Sequence, residues 1–207
     1  MKNTIYCLLI CYIGIWASCN KNFDCRGTIH NFEAFYKAYP DADSIHVGDT
    51  IWIELSTSTQ LKDVTTGEMI NFSDAGNFGT VIGYGEMTGG DVINPGGIPA
   101  ANDFESIVIN GTSVPPLRPE ELREFLFEEK NGMYLFKVGI IPKKKGLFMI
   151  SPSDASNVYQ KSNNCRKSNF RLTFKETDKH LYLYERNRPG YTPSEYERAH
   201  AYCFKVY

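Results

Sequence analysis

Three acidic side chains, Glu86, Asp91 and Asp103, fall in one glycine- and proline-rich run, GYGEMTGGDVINPGGIPAAND, from Gly83 to Asp103. Carboxylates on a pliable loop suit two chemistries, oxygen ligation of calcium or acid–base work on a glycosidic bond. The spacing matches no calcium loop of the D-x-D-x-D kind, and the carboxylate separation that glycoside hydrolysis needs is set by a fold, not by spacing. No catalytic residue and no metal is therefore assigned to them. Gly83 and Gly85 also suggest a phosphate cradle, but Thr88 stands where the dinucleotide fingerprint needs glycine, and no helix start follows. No G-x-x-x-x-G-K occurs either, so no cofactor is expected. A connection this long and this poor in core-forming residues is functional or mobile, which makes Glu86, Asp91 and Asp103 a candidate binding loop.

A second group is aromatic. Tyr182, Tyr184, Tyr191 and Tyr196 form a candidate platform for sugar rings, since an aromatic face stacks on apolar C–H surfaces; the alternative is packing over a sandwich end with hydroxyls at the rim. Nucleophilic chemistry has little support. Neither G-x-S-x-G nor H-E-x-x-H is present, and His30, His46, His180 and His200 show no ligand spacing. The basic triplet Lys143 to Lys145 reads as a solvated hairpin tip, with weak contact to anionic lipid or glycan as its functional alternative.

Strands must position these groups. Period-two alternation runs nearly throughout, and aromatic content is 14%, which suits pleated surfaces. Thr28 to Tyr39 reads as a first strand, and DVTTGEMINF as a hairpin. Asn131-Gly132 between REFLFEEK and MYLFKVGII is the strongest hairpin signal, because both residues tolerate positive φ. Pro142 to Gly146 make the next turn, giving a three-strand meander. FRLTFKETDKHLYLYE predicts two strands around Thr177-Asp178, the second with Leu181 and Leu183 on one face. One helix is expected, from Thr192 to about Ala201, with Thr192 as N-cap, Pro193 at the first position and Glu195 completing a capping box. A closing strand, YCFKVY, follows.

The stretch VGDTIWIEL, Val47 to Leu55, resembles the opening strands of immunoglobulin-like envelope domains, where a short edge segment kinks into a core strand. That implies an all-β, immunoglobulin-like sandwich with insertions and one short C-terminal helix, built as a single domain over residues 28–207.

The first residues, MKNTIYCLLICYIGIWASC, carry Lys2, an apolar run from Ile5 to Ala17, and small residues before Cys19. Such a run spans only about 20 Å as a helix, against about 30 Å of hydrocarbon, and suits a secretory leader. Ala17, Ser18 and Cys19 resemble the lipobox of bacterial, Bacteroidota-type envelope lipoproteins; Trp16 departs from the usual aliphatic residue. The resemblance implies a signal peptide at 1–18, acylation of Cys19 as the new N-terminus and a tether at 19–27. Asn20 after the cysteine implies passage to the outer membrane, on its periplasmic face or at the cell surface. Several acyl chains on one cysteine make a stable anchor. Cys25, Cys165 and Cys203 then remain in an oxidising compartment, with three pairings open and one thiol left over; Cys165 and Cys203, beside predicted strands, are the candidate disulfide.

A formal charge of −2 gives no field to hold a polyanion, so nucleic acid is not an expected partner. The expected function is that of a lipid-anchored, non-catalytic envelope module that binds a glycan or protein, with the membrane as its other partner through Cys19. Two alternatives are an envelope enzyme that uses loop carboxylates on glycans or peptides, and a structural subunit of a surface assembly.

Overall fold

Side chains alternate along the first strand: Phe32, Ala34, Tyr36 and Ala38 are buried, with exposed or half-buried residues between them. The same rule builds most of the molecule. The computed structural model describes residues 27–87, 97–187, 190 and 192–207. In chain order the strands are β1 (Ile29–Tyr39), β2 (Ser44–Ile45), β3 (Ile51–Ser58), β4 (Gln60–Lys62), β5 (Met69–Asn71), β6 (Ala75–Gly76), β7 (Gly79–Glu86) and β8 (Ile98–Pro99). After a 3-10 turn at Ala101–Asp103 come β9 (Phe104–Asn110), β10 (Thr112–Val114), β11 (Leu122–Leu126), β12 (Glu128–Lys130) and β13 (Met133–Pro142). Then follow β14 (Gly146–Pro152), β15 (Ala155–Gln160), β16 (Asn163–Phe174), helices α1 (Leu181–Asn187) and α2 (Glu195–His200), and β17 (Tyr202–Val206).

The first sheet runs β12-β13-β3-β1-β16-β15-β6, with β9 also on β13, and the second runs β10-β11-β7-β14-β17-β2, with β8 also on β7. Strands β4 and β5 form a separate hairpin. Most pairs are antiparallel; β1 runs parallel to β16, and β2 parallel to β17. Rings from both sheets share one core: Phe125 of β11 lies 5.5 Å from Phe136 of β13, and Phe104 of β9 lies 5.0 Å from Phe148 of β14. The protein is mostly β, as alternation implies. Asn131 and Gly132 take φ of 52° and 73° between β12 and β13, so the predicted hairpin turn is present.

Three expectations are corrected. No meander follows β13, because β13 pairs with β3 and β9 whereas β14 pairs with β7 and β17. Period two fixes which face of a strand meets the core but not which sheet it joins, and both strands meet one core from opposite sides. REFLFEE likewise divides, since β11 pairs with β7 and β12 with β13. The second correction concerns HLYLYE, which forms α1. A short run such as Leu181-Tyr182-Leu183-Tyr184 reads equally as strand or helix. The Asp178 carboxylate accepts the His180 amide at 2.9 Å and the His180 carbonyl accepts the Leu183 amide, so the chain turns into a helix that buries Tyr184. Third, α2 is capped by Ser194, not Thr192: Ser194 and Glu197 form the capping box. Thr192-x-x-Glu195 and Ser194-x-x-Glu197 fit the pattern equally, and Glu197 is further held by the Tyr184 hydroxyl at 3.0 Å.

Four tyrosines, Tyr36, Tyr84, Tyr134 and Tyr202, have phenol pKa values raised by burial, that of Tyr84 to about 12. A raised phenol pKa favours folding at all pH values below the unfolded value of about 10 and ceases to do so as pH rises through the folded value. Urea midpoints will therefore hold steady from pH 8 to 9.5 and fall steeply by pH 11. An unchanged midpoint at pH 11 would contradict this assignment.

Candidate functional site

Strand β7 places Ile82 and Tyr84 in the core, so Gly83 and Gly85 lie on the opposite, outer face of the second sheet. Glycines inside a strand leave a trough where another chain or ligand can approach the backbone. At Gly83 the nearest atoms to an added Cβ are the Ser151 carbonyl oxygen at 3.7 Å and the Leu122 side chain at 3.9 Å, so the space is open. A cleft of about 440 Å³ occupies it, lined by Pro99, Leu122 and Met149 and by the charged Arg118, Glu121 and Glu197. On one wall Arg118 pairs with Glu121 at 2.8 Å; in the same segment, outside the lining, the Arg123 guanidinium donates to the carbonyls of Ala101 and Leu122, each at 2.8 Å, and to that of Pro119. On the opposite wall the Glu197 carboxylate accepts from the Ser194 amide and the Tyr184 hydroxyl.

The candidate loop is partly strand. Gly83 to Glu86 complete β7, Ile98 and Pro99 form β8, and Asp103 ends the 3-10 turn; Asp91 lies outside the described residues. Glu86 and Asp103 do converge, but on a cation: the Lys144 ammonium sits 3.0 Å from Glu86 and 2.9 Å from Asp103. These contacts raise the Lys144 pKa, first through Asp103 and then through Glu86. The middle lysine of the basic triplet thus brackets the base of the loop instead of standing free at a hairpin tip.

The three described tyrosines of this group do not share one surface. Tyr182 is part-exposed on α1 and its hydroxyl donates to Asp43, whereas Tyr184 is 1% exposed and belongs to the interior. Tyr196 is half exposed and stacks on the His200 ring at 4.0 Å, while Tyr191 lies outside the described residues. A helix instead of a strand explains the separation, because successive residues then point in different directions rather than to two faces.

The candidate Cys165–Cys203 bridge is also corrected: Cys165 is disulfide-bonded and Cys203 is a free, buried thiol. Tyr202 and Phe204 face the shared core, so Cys203 faces outward from the second sheet and packs with Met87, Met149, Tyr184 and Ala201 beneath the helices. Burial pushes its thiol up to about 12. A protonated, enclosed thiol is a poor nucleophile. Maleimide will therefore leave Cys203 unmodified in the folded protein over hours at pH 7.5 and label it in denaturant under non-reducing conditions; rapid labelling of Cys203 in the folded protein would contradict this. Cys19 lies outside the described residues.

Two histidine–carboxylate hydrogen bonds escape sequence reasoning. His30 Nδ1 lies 2.9 Å from Asp63, and His200 Nε2 lies 2.9 Å from Asp154 while its Nδ1 meets the Tyr196 carbonyl at 2.8 Å. Both tie together segments remote in sequence, and isolated histidines give no signal of such partners. Arg118 and Glu197 were missed for the same reason, although GYG itself marks the trough.

Comparison with known proteins returns no match to a family model, to a curated protein or to a solved structure.

Proposed function

We propose that this chain is a lipid-anchored cell-envelope protein, held at the outer membrane through an acylated Cys19, whose β domain binds a glycan or protein partner without catalysing a reaction. The anchoring part rests on the resemblance of Ala17-Ser18-Cys19 to a lipobox. The observation that carries the binding part is the cleft over Gly83 and Gly85, with an apolar floor at Leu122 and Met149 and charges of both signs on its walls. A few polar groups around an apolar, pre-formed concavity is the usual construction of a binding site. The scaffold is read as an immunoglobulin-like sandwich, a reading supported by two sheets that share one core. The enzyme alternative loses ground because Glu86 and Asp103 are both committed to Lys144.

A glycan array and a pull-down from envelope extract, each run with wild type and Gly83→Leu, test the binding reading. The added side chain fills the trough without a strained backbone, so the wild type is expected to retain a sugar or protein and the variant to retain it at least tenfold less. Equal retention by both, or none by the wild type, would overturn it. A second reading, the assembly subunit, has one observation in its favour: β9 pairs with β13 on one side, and its Ile107 and Ile109 are 45% and 54% exposed. Exposed apolar edge strands invite strand addition. Concentration-dependent dimers that Ile107→Lys abolishes would support it, and a monomer at all concentrations would exclude self-assembly.

A further inference from the structure

We propose that the partner of Cys165 is Cys25, and that this disulfide staples the lipid tether to the first sheet at the end where β1 begins its pairing with β16. Among the described residues the other cysteine, Cys203, is free, so the sulfur bonded to Cys165 belongs to Cys7, Cys11, Cys19 or Cys25. The described chain begins at Gly27, and an added Cβ there would lie 1.8 Å from the Cys165 carbonyl oxygen, so the two backbones touch. The contact continues the parallel register of β1 and β16, which pairs Ile29 with Lys167. Cys25 is two residues upstream of Gly27 and reaches at most about 7 Å from it. A disulfide needs Cα atoms about 4.4 to 6.8 Å apart, so Cys25 is within range of Cys165. The remaining choice rests on the lipoprotein reading: Cys7 and Cys11 leave with the signal peptide, and the Cys19 sulfur is blocked by its lipid.

The bond forms by thiol–disulfide exchange. The thiols of Cys25 and Cys165 give up two protons and two electrons to a disulfide oxidant of the envelope, which leaves as a dithiol. The benefit is mechanical. A lipid anchor pulls on the chain at its first residue, and the parallel β1–β16 pairing would otherwise open one hydrogen bond at a time from Ile29 onward. The staple transfers that load to a covalent bond ahead of the first pair. It also leaves only five residues, 20–24, between Cys19 and Cys25, a leash of about 21 Å at full extension.

Non-reducing peptide mapping of the full protein isolated from membranes tests the pairing. The expected result is one cross-linked peptide pair containing Cys25 and Cys165, with Cys203 recovered as a free thiol. Recovery of Cys165 as a thiol, or joined to any other cysteine, overturns it. Cys25→Ser is then expected to make Cys165 reactive to maleimide while the acyl group stays on Cys19; a Cys165 that remains bonded in this variant also overturns the pairing. Cys19→Ser separates the two ideas, since loss of acyl labelling with the Cys25–Cys165 peptide intact supports both. An acyl label that survives Cys19→Ser ends the anchor reading alone, whatever the peptide map shows.

Discussion

Phe170→Ala is expected to lower the unfolding free energy by about 3 to 5 kcal/mol, the range for truncating a fully buried phenylalanine. Phe170 is 1% exposed on β16, and its ring lies 4.0 Å from that of Phe78, 5.2 Å from Phe32 and 6.1 Å from Phe72. These neighbours come from three other parts of the chain: β1, the segment after β5 and the segment before β7. Removing the ring therefore opens a void that no single element can fill by shifting. Phe32 sits in the β1 ladder, and backbone hydrogen bonds from the Phe72 amide to the Thr59 carbonyl and from the Phe127 amide to the Phe78 carbonyl hold the other two rings in place, which limits collapse and pushes the cost toward the upper end of the range. Urea titration will read the loss as a lower midpoint with the slope unchanged. Leu117→Ala serves as the control, since Leu117 is 96% exposed and its truncation should shift stability by less than about 0.5 kcal/mol. A Phe170→Ala cost below 1 kcal/mol would show that these rings are not packed as described.

The second large effect is expected at Asp63, whose replacement by alanine should cost about 3 kcal/mol, typical of a buried charged hydrogen-bond acceptor being removed from its partners. Its side chain is 1% exposed. One carboxylate oxygen meets His30 Nδ1 at 2.9 Å, and the other accepts the Thr65 amide at 2.8 Å and the Thr66 amide at 3.4 Å. His30 Nε2 in turn accepts from Arg166 Nε at 3.4 Å. That network assigns the ring proton to Nδ1, donating to Asp63. Alanine would leave a buried imidazole N–H and two turn amides unsatisfied, and would release the β4–β5 hairpin from β1. Asn, which keeps an acceptor oxygen, should cost roughly half as much.

Burial by itself would raise the Asp63 carboxyl, but hydrogen bonds from His30 and from the two threonine amides outweigh it and hold the pKa below the ordinary carboxylate value. A depressed carboxyl pKa stabilises the fold above the unfolded value of about 4 and loses that contribution as pH falls through the folded value. Wild type should therefore lose stability between pH 5 and 2 more steeply than Asp63→Ala. Parallel acid limbs for the two proteins would contradict the assignment.

What could be read from sequence was local. Alternation located β1, β3, β13 and β16, because an apolar face leaves a period of two wherever one side of a strand is buried. Asn131-Gly132 announced its turn because few residues accept positive φ at both positions. Sheet membership was hidden, since the chain crosses between sheets near Gly111 and Phe127 without breaking the alternation. Gly111 is a clear physical marker only in hindsight: its φ is 102°, and an added Cβ would lie 2.6 Å from the Leu126 carbonyl oxygen. The helix at Leu181–Asn187 was hidden because its four-residue run Leu-Tyr-Leu-Tyr mimics strand alternation and is too short to show a helical period. For the candidate site, Gly83 and Gly85 were visible as a glycine-rich stretch, but the walls were not. Arg118 and Glu197 reach the cleft from segments far along the chain, and only the fold brings them beside β7. The carboxylates Glu86 and Asp103 were read as members of one loop, whereas Glu86 ends β7 and Asp103 ends the 3-10 turn; that Lys144 bridges both depends on a turn between two strands of different sheets.

The proposal stands or falls most directly on the intact mass of the protein extracted from membranes. A chain that begins at Cys19 and carries a diacylglyceryl group on its sulfur and an acyl group on its amine is the expected species. A soluble chain that begins elsewhere, or a Cys19 without lipid, would contradict a lipid-anchored envelope module.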